Sequence, residues 1–130
     1  MIADTTFIID LMRNNPDAIS KAQEIEKNNI PLIITAPTLF ELSVGISLSK
    51  KSQQEKKQIH EILDTLPFQP LDYKSSQEAG YIYGDKQKKG NKIDPQDAMI
   101  AGIARSSGEK ILTRNTKHFQ DIEGVTIETY

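Results

Sequence analysis

The chain has 130 residues, 37% of them hydrophobic and 26% charged, with a formal net charge of −2 and no cysteine. Length and apolar content match one domain with one core, expected to span residues 1–130. Without cysteine there is no disulfide, zinc-thiolate site or thiol nucleophile, and the small negative charge excludes the global pull toward nucleic acid of a strongly basic domain.

Met1 to Asp4 followed by Thr5, Thr6 and the apolar Phe7, Ile8, Ile9, Leu11 and Met12 predicts a strand that ends and a helix that begins, stopped by Asn14, Asn15 and Pro16. Ala18, Ile19, Ala22 and Ile25 recur at helical spacing between Pro16 and Lys27, the pattern of an amphipathic helix. Pro31 to Thr35 is a short apolar run suited to a buried parallel strand. Helices are expected from Pro37 to about Leu48 and from Ser52 to Leu66, then an edge strand within Phe68 to Leu71 beside Pro67. A helix from Ser75 to Lys88, a loop from Gly90 to Asp94, and a central helix from Pro95 to Ser106 that is apolar on most sides follow. Ile111 to Thr113 and Val125 to Ile127 complete the set as short strands. Strands alternating with helices predict a mainly parallel sheet covered on both faces. No basic, then apolar, leader opens the sequence, and no run approaches the ~18 apolar residues of a membrane span, so a soluble, cytoplasmic protein without membrane contact is expected.

In a parallel sheet, ligands bind beyond the carboxyl ends of the strands. Asp4 ends the first strand, Glu41 lies one turn into the helix after the second, Asp97 opens the apolar helix, and Thr113-Arg114-Asn115 follows the fourth strand. Each acid also has a plain structural reading. Asp4 is a candidate N-cap, Thr38-Leu39-Phe40-Glu41 matches a capping box, and Asp94-Pro95-Gln96-Asp97 resembles one. Caps do not explain why Glu41 sits among Leu39, Phe40, Leu42, Val44 and Ile46. Carboxylates crowded at one sheet edge raise one another's pKa values unless a cation neutralises them. Hard oxygen donors favour Mg²⁺ or Mn²⁺, and the matching chemistry is phosphodiester hydrolysis. His60, in a polar helix, and His118, beside Phe119, lack the spacing of a metal or triad motif and read as ordinary residues. Lys86, Lys88, Lys89 and Lys92 crowd around Gly90, and Arg105, Lys110, Arg114, Lys117 and His118 follow, giving either a local basic rim or a solvated lysine-rich helix end.

These segments together resemble the PIN-domain nucleases, and within them the toxin component of VapBC toxin-antitoxin pairs. Met1 to Leu11 is similar to the family's opening strand and turn, Pro37 to Gly45 to its second motif, Asp97 to Ala104 to its third, and Leu112 to Phe119 to its fourth. The resemblance covers nearly the whole chain. It implies a three-layer α/β/α sandwich on a five-stranded, mainly parallel sheet ordered 3-2-1-4-5. It places Mg²⁺ or Mn²⁺ on Asp4, Glu41 and Asp97, with a supporting hydroxyl at Thr6 and a polar residue at Asn115, where many relatives have Asp. Asp94 is a further acid that would restore the missing charge, although N-cap before Pro95 is its simpler role. The resemblance also implies a metal-dependent endoribonuclease acting as the toxin of a type II pair: a homodimer, sequestered by a cognate antitoxin, with a structured cellular RNA as substrate. Arg114, Lys117, Lys89 and Lys92 are the candidate RNA-contacting residues. The alternatives are a non-catalytic RNA-binding or scaffold protein of the same fold, and a metal-dependent phosphatase or receiver-like domain. The isolated Asp4 argues against a receiver, which pairs acids early in the chain.

Overall fold

A computed structural model describes residues 1–130. The elements run β1 (Ile2–Ala3), α1 (Thr5–Met12), α2 (Pro16–Lys27), β2 (Ile34–Thr35), α3 (Ala36–Leu48), α4 (Gln53–Asp64), β3 (Phe68–Gln69), α5 (Tyr73–Lys88), α6 (Pro95–Ser107), β4 (Ile111–Leu112), α7 (Thr116–Phe119) and β5 (Ile127–Glu128). All strand pairs are parallel: β1 with β4, β4 with β5, and β2 with β3. The two ladders, β1-β4-β5 and β2-β3, are joined through the Ile2–Ile33 bridge. At this joint the Ala3 amide donates to the Ile33 carbonyl at 2.9 Å and the Ile33 amide to the Met1 carbonyl at 2.8 Å.

Alternation along the strands sorts side chains to two faces. Ala3 and Leu112 point into a core with Phe7 and Ile8 of α1, Ala18 and Ile25 of α2, Leu42 of α3 and Leu63 of α4. Ile2 and Ile111 point the other way, onto Ile82 of α5, Ile100 and Ile103 of α6, and Phe119 of α7. The result is the expected three-layer α/β/α arrangement. Each fully buried isoleucine here stabilises the fold by about 2 kcal/mol of removed apolar surface. On the second face α5 and α6 touch so closely that a Cβ on Gly102 would meet Ala79 N and Ser75 O at 2.6 Å, which explains a glycine inside an otherwise Ala/Ile-rich helix.

Local chemistry sets most boundaries. The Asn15 side chain accepts from the amides of Asp17 and Ala18, with Pro16 in the first turn, so α2 starts where the sequence predicts. Ser52 caps α4, and Asp72 and Ser75 form a reciprocal capping box that starts α5 two residues before the expected Ser75. Gly108 ends α6 at φ 71°, a left-handed conformation that glycine adopts without strain. The expected second strand shortens to Ile34–Thr35, β5 shifts to Ile127–Glu128, and α7 is a four-residue helix too short for its spacing to show in the sequence. No helix is long and apolar enough to cross a membrane.

Candidate functional site

The register Ala3↔Leu112 carries β1 and β4 out of the sheet side by side, so the next residue of each strand faces the other. Those residues are Asp4 and Thr113. Both are buried, at 3% and 0% exposure, and the Thr113 hydroxyl donates to Asp4 Oδ2 at 2.7 Å. The Asn115 amide in turn donates to Thr113 Oγ1 at 3.0 Å, and Asn115 Nδ2 donates to Thr6 Oγ1 at 3.0 Å. Thr6 therefore sits in the site, bonded to Asn115, and its pull on Asp4 is weaker than that of Thr113.

The neighbouring helix α3 supplies Thr38 and Glu41, one turn apart and so on one face. The Thr5 hydroxyl donates to Glu41 Oε1 at 3.1 Å and lies 3.0 Å from Thr38 Oγ1. Its single proton goes to Glu41, so Thr38 is the donor in the second contact. The plain capping-box alternative for Thr38 and Glu41 is ruled out by this arrangement. Helix α3 already begins at Ala36, which puts Thr38 inside the first turn and Glu41 beyond it, and neither caps the helix. Asp4 and Asp94 occupy N-cap positions of α1 and α6, yet neither side chain makes a cap hydrogen bond.

Asp97, in the first turn of α6, has a side chain 14% exposed and stands 3.1 Å from His118 Nδ1 of α7. His118 reads as ordinary in the sequence and joins the site only because the fold brings α7 onto α6. A weak signal was available: His118 lies three residues beyond Asn115, inside the segment that carries the fourth motif. Arg114 is paired with Asp10, at 3.3 Å from NH1 to Oδ2, and remains half exposed. Lys92 and Lys117 are exposed. Lys89 lies in a mixed-charge notch with Asp85, Lys86, Arg105, Asp121 and Glu123, apart from the acids.

Electrostatically the acids form one group. Burial raises the pKa of Asp4, opposed by the Thr113 hydrogen bond. Glu41 is raised by burial, held back by Thr5, and pushed further by the charges of Asp4 and Asp94. Asp97 is pushed up to about 6, mainly by burial; His118 opposes the rise, while Asp4, Asp94 and Glu41 add to it. Carboxylates from two helices, α3 and α6, and from the end of β1 are thus brought together, the situation in which a cation is most stabilising. The donor set is all oxygen apart from one imidazole, which fits a hard divalent ion. No three acidic or imidazole groups converge as ligands of a single ion, so the fit is to an ion held by one or two carboxylates and completed by water.

The chain matches the model of the PIN domain over residues 1–125. It is 28% identical over 127 residues to the tRNA(fMet)-specific endonuclease VapC of Salmonella typhimurium, an alignment covering 98% of this chain and 95% of that protein. It is 31% identical over 102 residues to ribonuclease VapC3 of Methanocaldococcus jannaschii, covering 78% of this chain and 95% of the relative. Among solved structures, VapBC2 of Rickettsia felis bound to a promoter DNA fragment contains a chain that superposes with a TM-score of 0.89 at 25% identity, covering 99% of this chain and 97% of that one. The match across residues 1–125, the shared architecture and these relatives converge on one assignment: the chain belongs to the PIN-domain family.

Proposed function

We propose that this protein is a divalent-metal-dependent endoribonuclease and the toxin of a VapBC-type pair, with Asp4, Glu41 and Asp97 as the acids of its metal site, one or two of them ligating the ion directly and the rest acting through its waters. The observation that carries the reading is the set of carboxylates brought together from the end of β1, α3 and α6, all raised by burial, with Glu41 and Asp97 raised further by their acidic neighbours. A bound Mg²⁺ or Mn²⁺ supplies Lewis acidity and a lowered pKa of bound water for phosphodiester hydrolysis. The protein's own work is orientation. Thr113 fixes the rotamer of Asp4, Thr38 and Thr5 fix Glu41, and His118 fixes Asp97, so the carboxylate oxygens are placed before substrate arrives. Asn115 and Thr6 hold the β4–α7 loop against α1. Asp94 adds charge to the group without a cap bond of its own.

The substrate class we assign is structured RNA such as tRNA, the substrate named for the Salmonella relative. A cleft between α1, α3 and α4 leads away from Glu41, floored by Ile9, Met12, Leu42, Ile46 and Ile59 and rimmed by Arg13, Lys51 and Lys56. An amphipathic, acidic antitoxin segment matches its apolar floor and basic rim. A second apolar surface, the exposed Phe40, Val44 and Leu48 stripe on α3, supports self-association as a homodimer.

The test is cleavage of total cellular RNA by the purified, antitoxin-free protein with Mg²⁺, with Mn²⁺ and with EDTA, alongside Asp4→Asn. Cutting that requires the metal and disappears in the variant is the expected result. A folded sample that cuts under neither metal overturns the reading and favours the non-catalytic RNA-binding alternative.

A further inference from the structure

Three consecutive residues of the β4–α7 loop each reach back to the first helix and its cap. Thr113 bonds Asp4, Asn115 bonds Thr6, and between them Arg114 pairs with Asp10. Asp10 is buried, at 4% exposure, and its Oδ2 also accepts the Tyr130 hydroxyl at 2.6 Å. The Tyr130 ring packs edge-on against Phe7, 4.9 Å between centroids, which fixes the phenol in place. Burying a carboxylate is costly unless it is paired and hydrogen-bonded, and here both partners are supplied. The Arg114 side chain is nevertheless 49% exposed, and it meets Asp10 Oδ2 through NH1 at 3.3 Å. A guanidinium has five N–H donors, so most of its planar fork is left to solvent. Its chain neighbours on both sides are bonded into the acidic site.

We infer that Asp10 and Tyr130 are positioning residues that hold Arg114 at the mouth of the acidic site, where its free donors grip a phosphate of the RNA. This rests on the ribonuclease reading. The exposed Lys92 and Lys117 must lose side-chain entropy to bind a phosphate, whereas Arg114 is ordered beforehand. The Asp10–Arg114 pair is neutral overall, so its contribution is donor placement, and long-range attraction plays little part.

That distinction fixes the sign of the test. Binding of a fluorescein-labelled RNA stem-loop is measured by anisotropy in EDTA, and cleavage kinetics are measured with Mg²⁺. Arg114→Ala is expected to weaken binding about tenfold, the effect of one charge-assisted contact. Asp10→Asn is expected to weaken it about threefold even though a negative charge is removed, because the guanidinium loses its anchor. Tyr130→Phe, which leaves the charge unchanged, acts in the same direction, and decides the matter if thermal melting shows Asp10→Asn to be unfolded. In cleavage the effect falls on KM with kcat nearly retained, whereas a merely structural role lowers the active fraction and hence kcat. Tighter binding by Asp10→Asn, or unchanged binding by Arg114→Ala in a protein that cleaves RNA, overturns this inference and leaves the ribonuclease reading standing. A wild-type protein that neither binds nor cleaves RNA overturns the ribonuclease reading, and this inference with it.

Discussion

Two groups of helices in this molecule begin in different ways. The first turns of α2, α4 and α5 are closed by Asn15, Ser52 and Asp72, whose side chains accept from the orphan backbone amides. Helices α1, α3, α6 and α7, whose first turns carry or adjoin the acidic site, have Asp4, Thr35, Asp94 and Asn115 at the cap positions. These are all capping residue types, yet none makes a side-chain cap bond. Asp4 instead takes its hydrogen bond from Thr113, Asn115 turns to Thr6, and Thr35 Oγ1 is buried with no partner. A side-chain cap contributes about 1 kcal/mol, so the site end forgoes stability that the other helices keep. What it gains is a set of oxygen groups free to face a ligand, next to helix N-termini whose dipoles favour negative charge.

Substitutions at the site end are therefore expected to lower activity while sparing or raising stability, and substitutions at the capped ends to lower stability while sparing activity. The largest effect is catalytic: Asp97→Asn or Glu41→Gln is expected to slow RNA cleavage by about 10² to 10⁴, the loss of several kcal/mol of transition-state stabilisation. Single-turnover rates under saturating Mg²⁺ check it, and an unchanged rate removes that residue from the site.

The same Asp97→Asn is expected to stabilise the metal-free protein. The folded-state pKa of Asp97, about 6, lies above the ordinary 3.8, so the folded state holds the proton more tightly and its stability falls as pH rises from about 4 to about 6. Asn cannot ionise and avoids that loss. In EDTA the variant should match the wild type below pH 4 and exceed it above pH 6 by about 3 kcal/mol, the free-energy equivalent of a shift from 3.8 to about 6. Denaturant titrations across that range read the difference, and a parallel pair of curves sinks the account.

Smaller effects test the caps. Asn15→Ala is expected to lose about 1 kcal/mol of unfolding free energy with kcat/KM unchanged, because its cap lies outside the site. Thr35→Val, which replaces an unpartnered buried hydroxyl with a methyl of the same shape, is expected to be neutral or to stabilise by up to about 1 kcal/mol. A large loss at Thr35 would mean that its hydroxyl has a partner in solution.

Much of this architecture was legible in advance for local reasons. The 3.6-residue spacing of Ala18, Ala22 and Ile25, bracketed by Asn15-Pro16 and Asn28-Asn29, fixes α2 without reference to the rest of the chain. The short apolar runs at Ile111 and Ile34 mark parallel strands, although Pro31 to Ile33 turned out to pair only through the bridge at Ile33. Asp4, Glu41 and Asp97 stood out because each is an acid next to an apolar run. The capping-box pattern at Thr38 could not be settled by residue types and spacing alone, because the start of α3 is set by Thr35 leaving β2.

Sequence alone therefore determined the alternation of strands and helices, the two-faced sheet and the chemical type of the site, since periodicity and residue chemistry act over a few neighbouring positions. Only the tertiary structure decided which hydroxyl steadies which acid. Thr113 lies 109 residues from Asp4, Tyr130 lies 120 from Asp10, and His118 meets Asp97 across two helices. Those partnerships follow from the parallel register of β1 with β4 and from how α7 packs, and no local pattern carries a register between strands so far apart in the chain.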